Sequence, residues 1–328
     1  MIPVVPETSR RLVLLSVALA ILAGATNPSP SAEVPIRLIV RGDDMGSSQA
    51  SNEAALRCFK DGVMRDVEVM AVGPWFPEAA RLLRENPGLD AGLHLTLTSE
   101  WDNVKWRPLT TAPSLVGRGG YFRPMIWPHP HYGKEGALRE QPWKLEEIER
   151  ELRAQIELTK REVPHLSHLS DHMGFQALGP EVVALVKTLA GEYGLDVDPE
   201  ARGAKWVGWD GKPETPAQKV ESFVRVLEGL SPGTWIFVDH PALDTPEMQA
   251  VHHVGYENVA VDRQGVTDAW TSPAAKDVVR RRGIDLIGYK DLVIPRDYRG
   301  PGPEGSAGIA DPSSHGQTEL LGMTGRQR

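Results

Sequence analysis

The sequence predicts an α/β protein, a single (β/α) barrel-like domain that is either seven-stranded or an irregular TIM-like barrel. Three observations lead there. Short aliphatic and β-branched runs alternate with helical segments from Ile36 to Leu292, the pattern of a parallel sheet covered by helices. Six or seven such units over ~260 residues suit a closed or nearly closed barrel better than an open sheet. The best-defined strands also run out into histidines or a carboxylate pair, and the carboxyl ends of parallel strands are where chemistry collects. No repeat at solenoid periods is present.

The first strand, Ile36-Arg37-Leu38-Ile39-Val40, leads directly into Arg41-Gly42-Asp43-Asp44-Met45-Gly46. Ser47 or Ser48 then caps a helix that reaches Lys60 and carries Ala54, Ala55, Leu56 and Phe59. Adjacent strand residues point to opposite faces. Asp43 and Asp44 can share one site only if the strand breaks between them, and Gly42 and Gly46 supply the backbone freedom for a break. Two neighbouring anions repel unless a cation or proton intervenes. The plainer alternative is two acids at the positive end of a helix.

A second strand covers 67–72, a helix 75–86 ends at Asn86-Pro87-Gly88, and a third strand covers 90–97 with His94 inside Gly92-Leu93-His94-Leu95-Thr96. Residues 98–141 are a long polar stretch rich in Trp, Pro, Gly and Arg, read as a lid-like insertion. A helix over 142–162 stops at Pro164, and His165–Ser170 forms a fourth strand leading to His172. Pro180 opens a helix to Tyr193, a faint strand lies at 195–198 or 204–207, and 215–229 is helical. Gly233–Asp239 is a clear strand ending at His240-Pro241; a loop then runs to residue 270, followed by a helix over 273–282 and a last strand over 284–287.

At the start, Arg10 and Arg11 precede the apolar run Leu12–Ala23, with small-residue cleavage sites at Ala23-Gly24-Ala25 or Ala32. Residues 1–35 therefore read as a signal peptide and leader, 36–293 as the barrel domain and 294–328, rich in Gly, Pro, Ser and Arg, as a disordered tail. The expectation is an exported protein, periplasmic or extracellular, with no stable membrane insertion after processing, since the apolar run is too short to span a bilayer comfortably. Cys58 is the single cysteine, so no internal disulfide can form. With 36 basic against 44 acidic residues and a formal charge of −8, a nucleic-acid partner is disfavoured. The oligomeric state stays open, a dimer included.

If the strand tips converge, the Asp43-Asp44 pair, His94, His240 and the His168–His172 stretch meet at one mouth, and two histidines and a carboxylate with open positions make a catalytic divalent-metal set. In an extended segment His168, Ser170 and His172 point one way and Asp171 the other. His172 lies nearer the strand's exit and is preferred as ligand, with His168 orienting it. Duller readings stand beside these: His94 as a core histidine, and His240 as part of a turn. His129 and His131 fit a surface loop, and His252 and His253 line the mouth or do nothing.

The order Asp-Asp-Met-Gly, Gly-Leu-His-Leu-Thr-Leu-Thr, His-Leu-Ser-Asp-His and a strand into His-Pro resembles the YdjC-type carbohydrate deacetylases (the chitooligosaccharide and hopanoid deacetylase group). The likeness runs from Ile36 to Leu292. It implies a barrel-like α/β fold, a divalent metal ion (Mg2+ or Zn2+) and removal of acetyl from an N-acetylated carbohydrate. Carried over, Asp44, His94 and His172 match the metal ligands, Asp43 the general base and His240 the acid. The chain departs from the family at Arg41-Gly42, where small residues are commoner, at Met45, and at Ser170, where an Asp is frequent. Trp101, Trp106 and Trp127 of the insertion are expected to stack on the sugar. The rivals are a glycoside hydrolase, another metal hydrolase, and a non-catalytic sugar-binding protein on the same fold.

Overall fold

A computed structural model describes residues 34–292; the expected leader and tail lie outside them. Strands and helices alternate in the order β1 (Ile36–Met45), α1 (Gln49–Lys60), β2 (Asp66–Val69), α2 (Phe76–Glu85), β3 (Asp90–Leu95), α3 (Leu145–Glu162), β4 (Leu166–Asp171), α4 (Pro180–Tyr193), β5 (Ala204–Val207), α5 (Pro216–Gly229), β6 (Gly233–Asp239), α6 (Pro246–Gln249), α7 (Val259–Thr271), α8 (Pro273–Arg282) and β7 (Asp285–Leu286). Ser48 is the residue that caps α1, accepting from the Ser51 N–H. Among the described residues, no helix is long and apolar enough to cross a membrane.

All strand pairs are parallel, in the order β4-β3-β2-β1-β6-β5. β7 pairs with the start of β1, at Arg37 and Leu38, while β2 pairs with its end, at Arg41 to Met45. Among the described residues there are seven strands, as the sequence predicts, but the barrel does not close. β4 and β5 are the two edges of the sheet and make no pair with each other. The physical reason lies in β7, which is two residues long and spends its pairing on β1 rather than bridging the edges. The turn after it, Tyr289–Asp291, packs onto the face bearing Asp66, Asp90 and His168: the Tyr289 ring stacks on His168 at 4.0 Å, and the Lys290 N–H donates to Asp90 at 2.8 Å.

Strand alternation divides the core. Leu38, Val40, Val67, Val69, Leu93 and Leu95 join the large apolar cluster that also takes in Ala55 and Cys58 of α1 and Ala79, Ala80 and Leu83 of α2. The opposite face begins with Ile39, Ile236, Ala204 and Ile287. Two and four residues beyond Ile39 on that face come Arg41 and Asp43. One side of β1 thus passes from apolar to charged toward its carboxyl end.

The expected loop up to residue 270 instead contains α6 and α7. α7 is nearly surrounded, with Val259, Ala260, Arg263, Gly265, Val266, Thr267, Ala269 and Trp270 all buried. Its valines, threonines and glycine are weak helix formers; packing, not propensity, makes it helical. A Cβ at Gly265 would stand 3.0 Å from Pro216 Cα, so the glycine permits the close crossing of α5 and α7. Tolerance is lower at Gly62, where a Cβ would fall 2.4 Å from the Trp270 carbonyl oxygen and 2.6 Å from that of Cys58. Gly62→Ala should destabilise the fold by about 1–3 kcal/mol, read as a lowered midpoint in urea unfolding.

Candidate metal centre

The break that brings two consecutive acids to one place is carried by Asp44 itself, whose φ is 69°. The β1–β2 register shifts between Gly42 and Met45. Gly46 follows at φ 95°, and the Ser47 N–H and hydroxyl donate to the Asp44 carbonyl at 3.1 and 2.7 Å. Gly42 serves differently from the sequence expectation. It does not take a positive φ; a Cβ there would meet Met64 Sδ at 2.7 Å and Pro241 Cγ at 3.2 Å, so the residue provides space. Asp44 and Met173, the residue after His172, are the two non-glycine residues at positive φ among those described. Backbone strain collects where function does.

Asp44, His94 and His172 come together, each buried. Asp44 Oδ1 lies 3.4 Å from His172 Nδ1 and 3.8 Å from His94 Nε2, and the two rings meet edge to face at 5.1 Å. The opposite nitrogens are occupied. His94 Nδ1 pairs with the Ser170 hydroxyl at 2.7 Å, and His172 Nε2 with Glu100 at 3.0 Å. Asp44 Oδ2 takes an ion pair from Arg263 at 3.0 Å. Asp44 Oδ1 is left buried with no hydrogen-bond partner, facing two imidazole nitrogens. An orphaned carboxylate oxygen costs free energy without a cation, and one oxygen with two imidazole nitrogens, each ring held from behind, is a donor set that fits a divalent ion.

The electrostatics agree with that fit. Burial would raise the Asp44 carboxyl, but His240, Arg263 and His172 outweigh it and hold it well below the usual range. Burial and neighbouring His172 push His94 down to about 3, leaving it neutral with a lone pair to give. Burial would also lower His172, yet Glu100 and Asp44 on either side raise it to about 10. Without a cation, those two carboxylates favour the protonated imidazole of His172.

The remaining two predicted residues flank this cage. Asp43 Oδ2 is 3.9 Å from His94 Nε2, and its carboxylate is met by Arg41. His240 Nε2 is 3.8 Å from Asp44 Oδ2, and its Nδ1 is 3.3 Å from Asp239 Oδ1. Asp239 in turn accepts from Trp209 Nε1 at 2.7 Å. The His240 side chain is 18% exposed, against 5% or less for the three cage residues. It therefore stands on the open side of the site. Burial would lower its pKa, but Asp44 ahead and Asp239 behind raise it above an ordinary imidazole.

His168 does not orient His172. It turns to the floor of the sheet, where Nε2 meets Glu68 at 2.7 Å and Asp66 at 3.6 Å beneath the stacked Tyr289 ring. Burial works against its charge, but Glu68 and Asp66 hold it near 10. His168 and Arg41 bring two cations to this floor, yet Asp66 Oδ1 and Glu68 Oε2 are buried without a hydrogen-bond partner, and Asp66, Glu68 and His168 form a second group whose donor atoms lie close enough to hold an ion. Glu100 takes the orienting role instead, from the first turn of the insertion. Sequence reasoning missed both Glu100 and Arg263. Arg263 was visible in principle: it shares with Val259, Ala260, Val266, Thr267 and Trp270 one face at helical spacing, and a lone arginine on an apolar face needs a buried anion.

The insertion is packed rather than loose. Glu151 of α3 accepts from the Leu109 and Thr110 N–H groups at 3.0 and 2.9 Å, and Glu147 from Ser114 at 2.8 Å. Trp101 and Trp106 are buried and cannot stack on a sugar here. Trp101 lies between the Arg263 guanidinium, 5.1 Å from its ring, and His253, while Trp106 edges against His172. Both wall the cage. Trp127 is exposed, with Arg139 over its ring at 4.3 Å.

The sequence pattern of the family described as YdjC-like protein matches residues 37–281, an interval containing all of these cage and flanking residues. The chain belongs to the YdjC-like family. Relatives of this YdjC-like chain include a chitooligosaccharide deacetylase of Serratia marcescens, 31% identical over 78% of this chain and 98% of its own length. A carbohydrate deacetylase of Geobacillus stearothermophilus is 34% identical over 51% of this chain; the match spans 60% of that relative's length. A crystal structure from Enterococcus faecalis V583, of a protein described for cellobiose-phosphate cleavage, superposes with a TM-score of 0.60 at 23% identity, over 79% of this chain and 99% of that one. It supports the same fold for this YdjC-like chain.

Proposed function

We propose that the protein is a metal-dependent hydrolase that removes acetyl groups from N-acetylated sugars or oligosaccharides. The observation that carries this reading is the orphaned Asp44 Oδ1 facing His94 and His172, with a second acid on one flank and an imidazole on the other. The substrate class comes from the relatives named carbohydrate and chitooligosaccharide deacetylases. The leader read in residues 1–35 extends the proposal to a periplasmic or extracellular setting.

An amide is a weak electrophile and water a weak nucleophile. A divalent ion held by Asp44, His94 and His172 would polarise the acetyl carbonyl and make water more acidic. Asp43, facing the cage through Oδ2, accepts the proton that the attacking water gives up. As the C–N bond breaks, His240 Nε2 donates its proton to the departing amine. Asp239 stabilises the imidazolium until that moment, and together with Asp44 it favours the protonated form of His240. The products are acetate and a free amino sugar.

Protein purified without chelator should release acetate from N-acetylated chitooligosaccharides, generate one amine per acetate and create no new reducing ends. EDTA should abolish the release and a divalent ion restore it. Reducing ends without acetate would overturn the reading in favour of glycosidic cleavage, and sugar binding without either product in favour of a non-catalytic role.

A further inference from the structure

We propose that Arg41 is a positioning residue for Asp43, a role that rests on reading Asp43 as the proton acceptor. Arg41 and Asp43 are two apart on β1 and share a face. Arg41 Nε donates to Asp43 Oδ1 and Nη2 to Oδ2, each at 2.8 Å, with both side chains buried. This two-pronged contact fixes the plane of the carboxylate as well as its place, which a single bond would not do.

A buried arginine beside a buried acid can be mere neutralisation. The setting of the guanidinium sets this one apart. Its Nη1 donates to Tyr289 Oη at 3.0 Å, Nε stands 3.9 Å from Glu68, and the group lies over Trp206 at 5.7 Å from the ring centre. These partners come from β2, β5 and the turn after β7. The fork is therefore anchored independently of Asp43, and the carboxylate is clamped against a fixed frame. Clamping leaves Oδ2 directed at the cage, 3.9 Å from His94 Nε2, where the attacking water must lose its proton. Small misplacements of a reacting group are costly in rate, and a shift on the order of 1 Å lowers it about 100-fold.

Lysine keeps the charge but has no fork. Arg41→Lys should lower kcat for acetate release about 10- to 100-fold, with KM, bound-metal stoichiometry and melting temperature close to the parent. Tyr289→Phe removes one anchor while keeping the ring on His168; it should lower kcat less, again without a change in KM. In Arg41→Ala, added guanidinium should restore part of kcat, as a structural role would not. Parent kcat in both Arg41→Lys and Tyr289→Phe overturns the proposal, as does a loss that only tracks the folded, metal-loaded fraction. If Arg41→Lys does not fold, Tyr289→Phe decides alone. Asp43→Asn is the control: full activity there would sink the base assignment itself, whereas an inactive Asp43→Asn beside unaffected Arg41 and Tyr289 variants would sink only the clamp.

Discussion

Asp44→Asn should bind no divalent ion and lose deacetylase activity by about 10³-fold or more, because the ion's contribution to the transition state is several kcal/mol at about 1.4 kcal/mol per decade of rate. Asparagine is the stringent choice. Like aspartate, it tolerates the left-handed backbone at this position, and it fills the same volume. What it lacks is the anionic Oδ1 between His94 and His172 and the anionic Oδ2 on Arg263. Removing one partner of a buried ion pair costs about 3–5 kcal/mol, so the variant should also unfold at lower temperature than the metal-free parent. Both effects have one source: Asp44 is the anion toward which Arg263, His172 and His240 all converge. Metal analysis, acetate release and thermal unfolding of the two proteins check the prediction together. A variant that keeps its metal and activity would remove Asp44 from the centre.

The parts of this site legible in the sequence are those that a strand displays at its tip. Asp43, Asp44, His94, His172 and His240 each sit at or near the carboxyl end of a short strand, and parallel strands carry such residues to a common edge whatever the helices do. Closure of the barrel was not legible, because it depends on whether a two-residue β7 bridges β4 and β5 or returns to β1. Nothing local encodes that choice. α7 was hidden for a related reason: its glycine and β-branched residues oppose a helix locally, and only the packing that nearly surrounds it reverses the balance. With α7 went Arg263. The tryptophans show the opposite failure. A Trp-rich polar stretch suggests an open sugar platform, yet Trp101 and Trp106 turn inward to cover histidines, and polarity along a loop says little about which face of a ring meets water. His168 was misassigned because alternation alone puts it on the same face as His172; the two acids on β2 that capture it belong to a different strand.

Affinity for the divalent ion should rise about tenfold per pH unit through the neutral range, with about one proton released per ion bound. The sign follows from the two imidazoles. His94, at about 3, is already neutral and gives up no proton. His172, raised to about 10, is protonated throughout that range, and the ion must displace this proton to reach Nδ1. The protonated form competes at every pH below about 10, so affinity climbs as pH rises and levels off only above that value. An unperturbed histidine would level off near 6.5, which makes the interval between pH 7 and 9 decisive: a gain of about 10²-fold there belongs to a histidine held between two carboxylates. Titration calorimetry in two buffers of different ionisation enthalpy counts the proton directly. Glu100→Gln removes the carboxylate that contributes most to the raised value, so its affinity should flatten at a lower pH than the parent's. No proton release at pH 8 would mean that His172 is not held as the geometry of Asp44 and Glu100 requires.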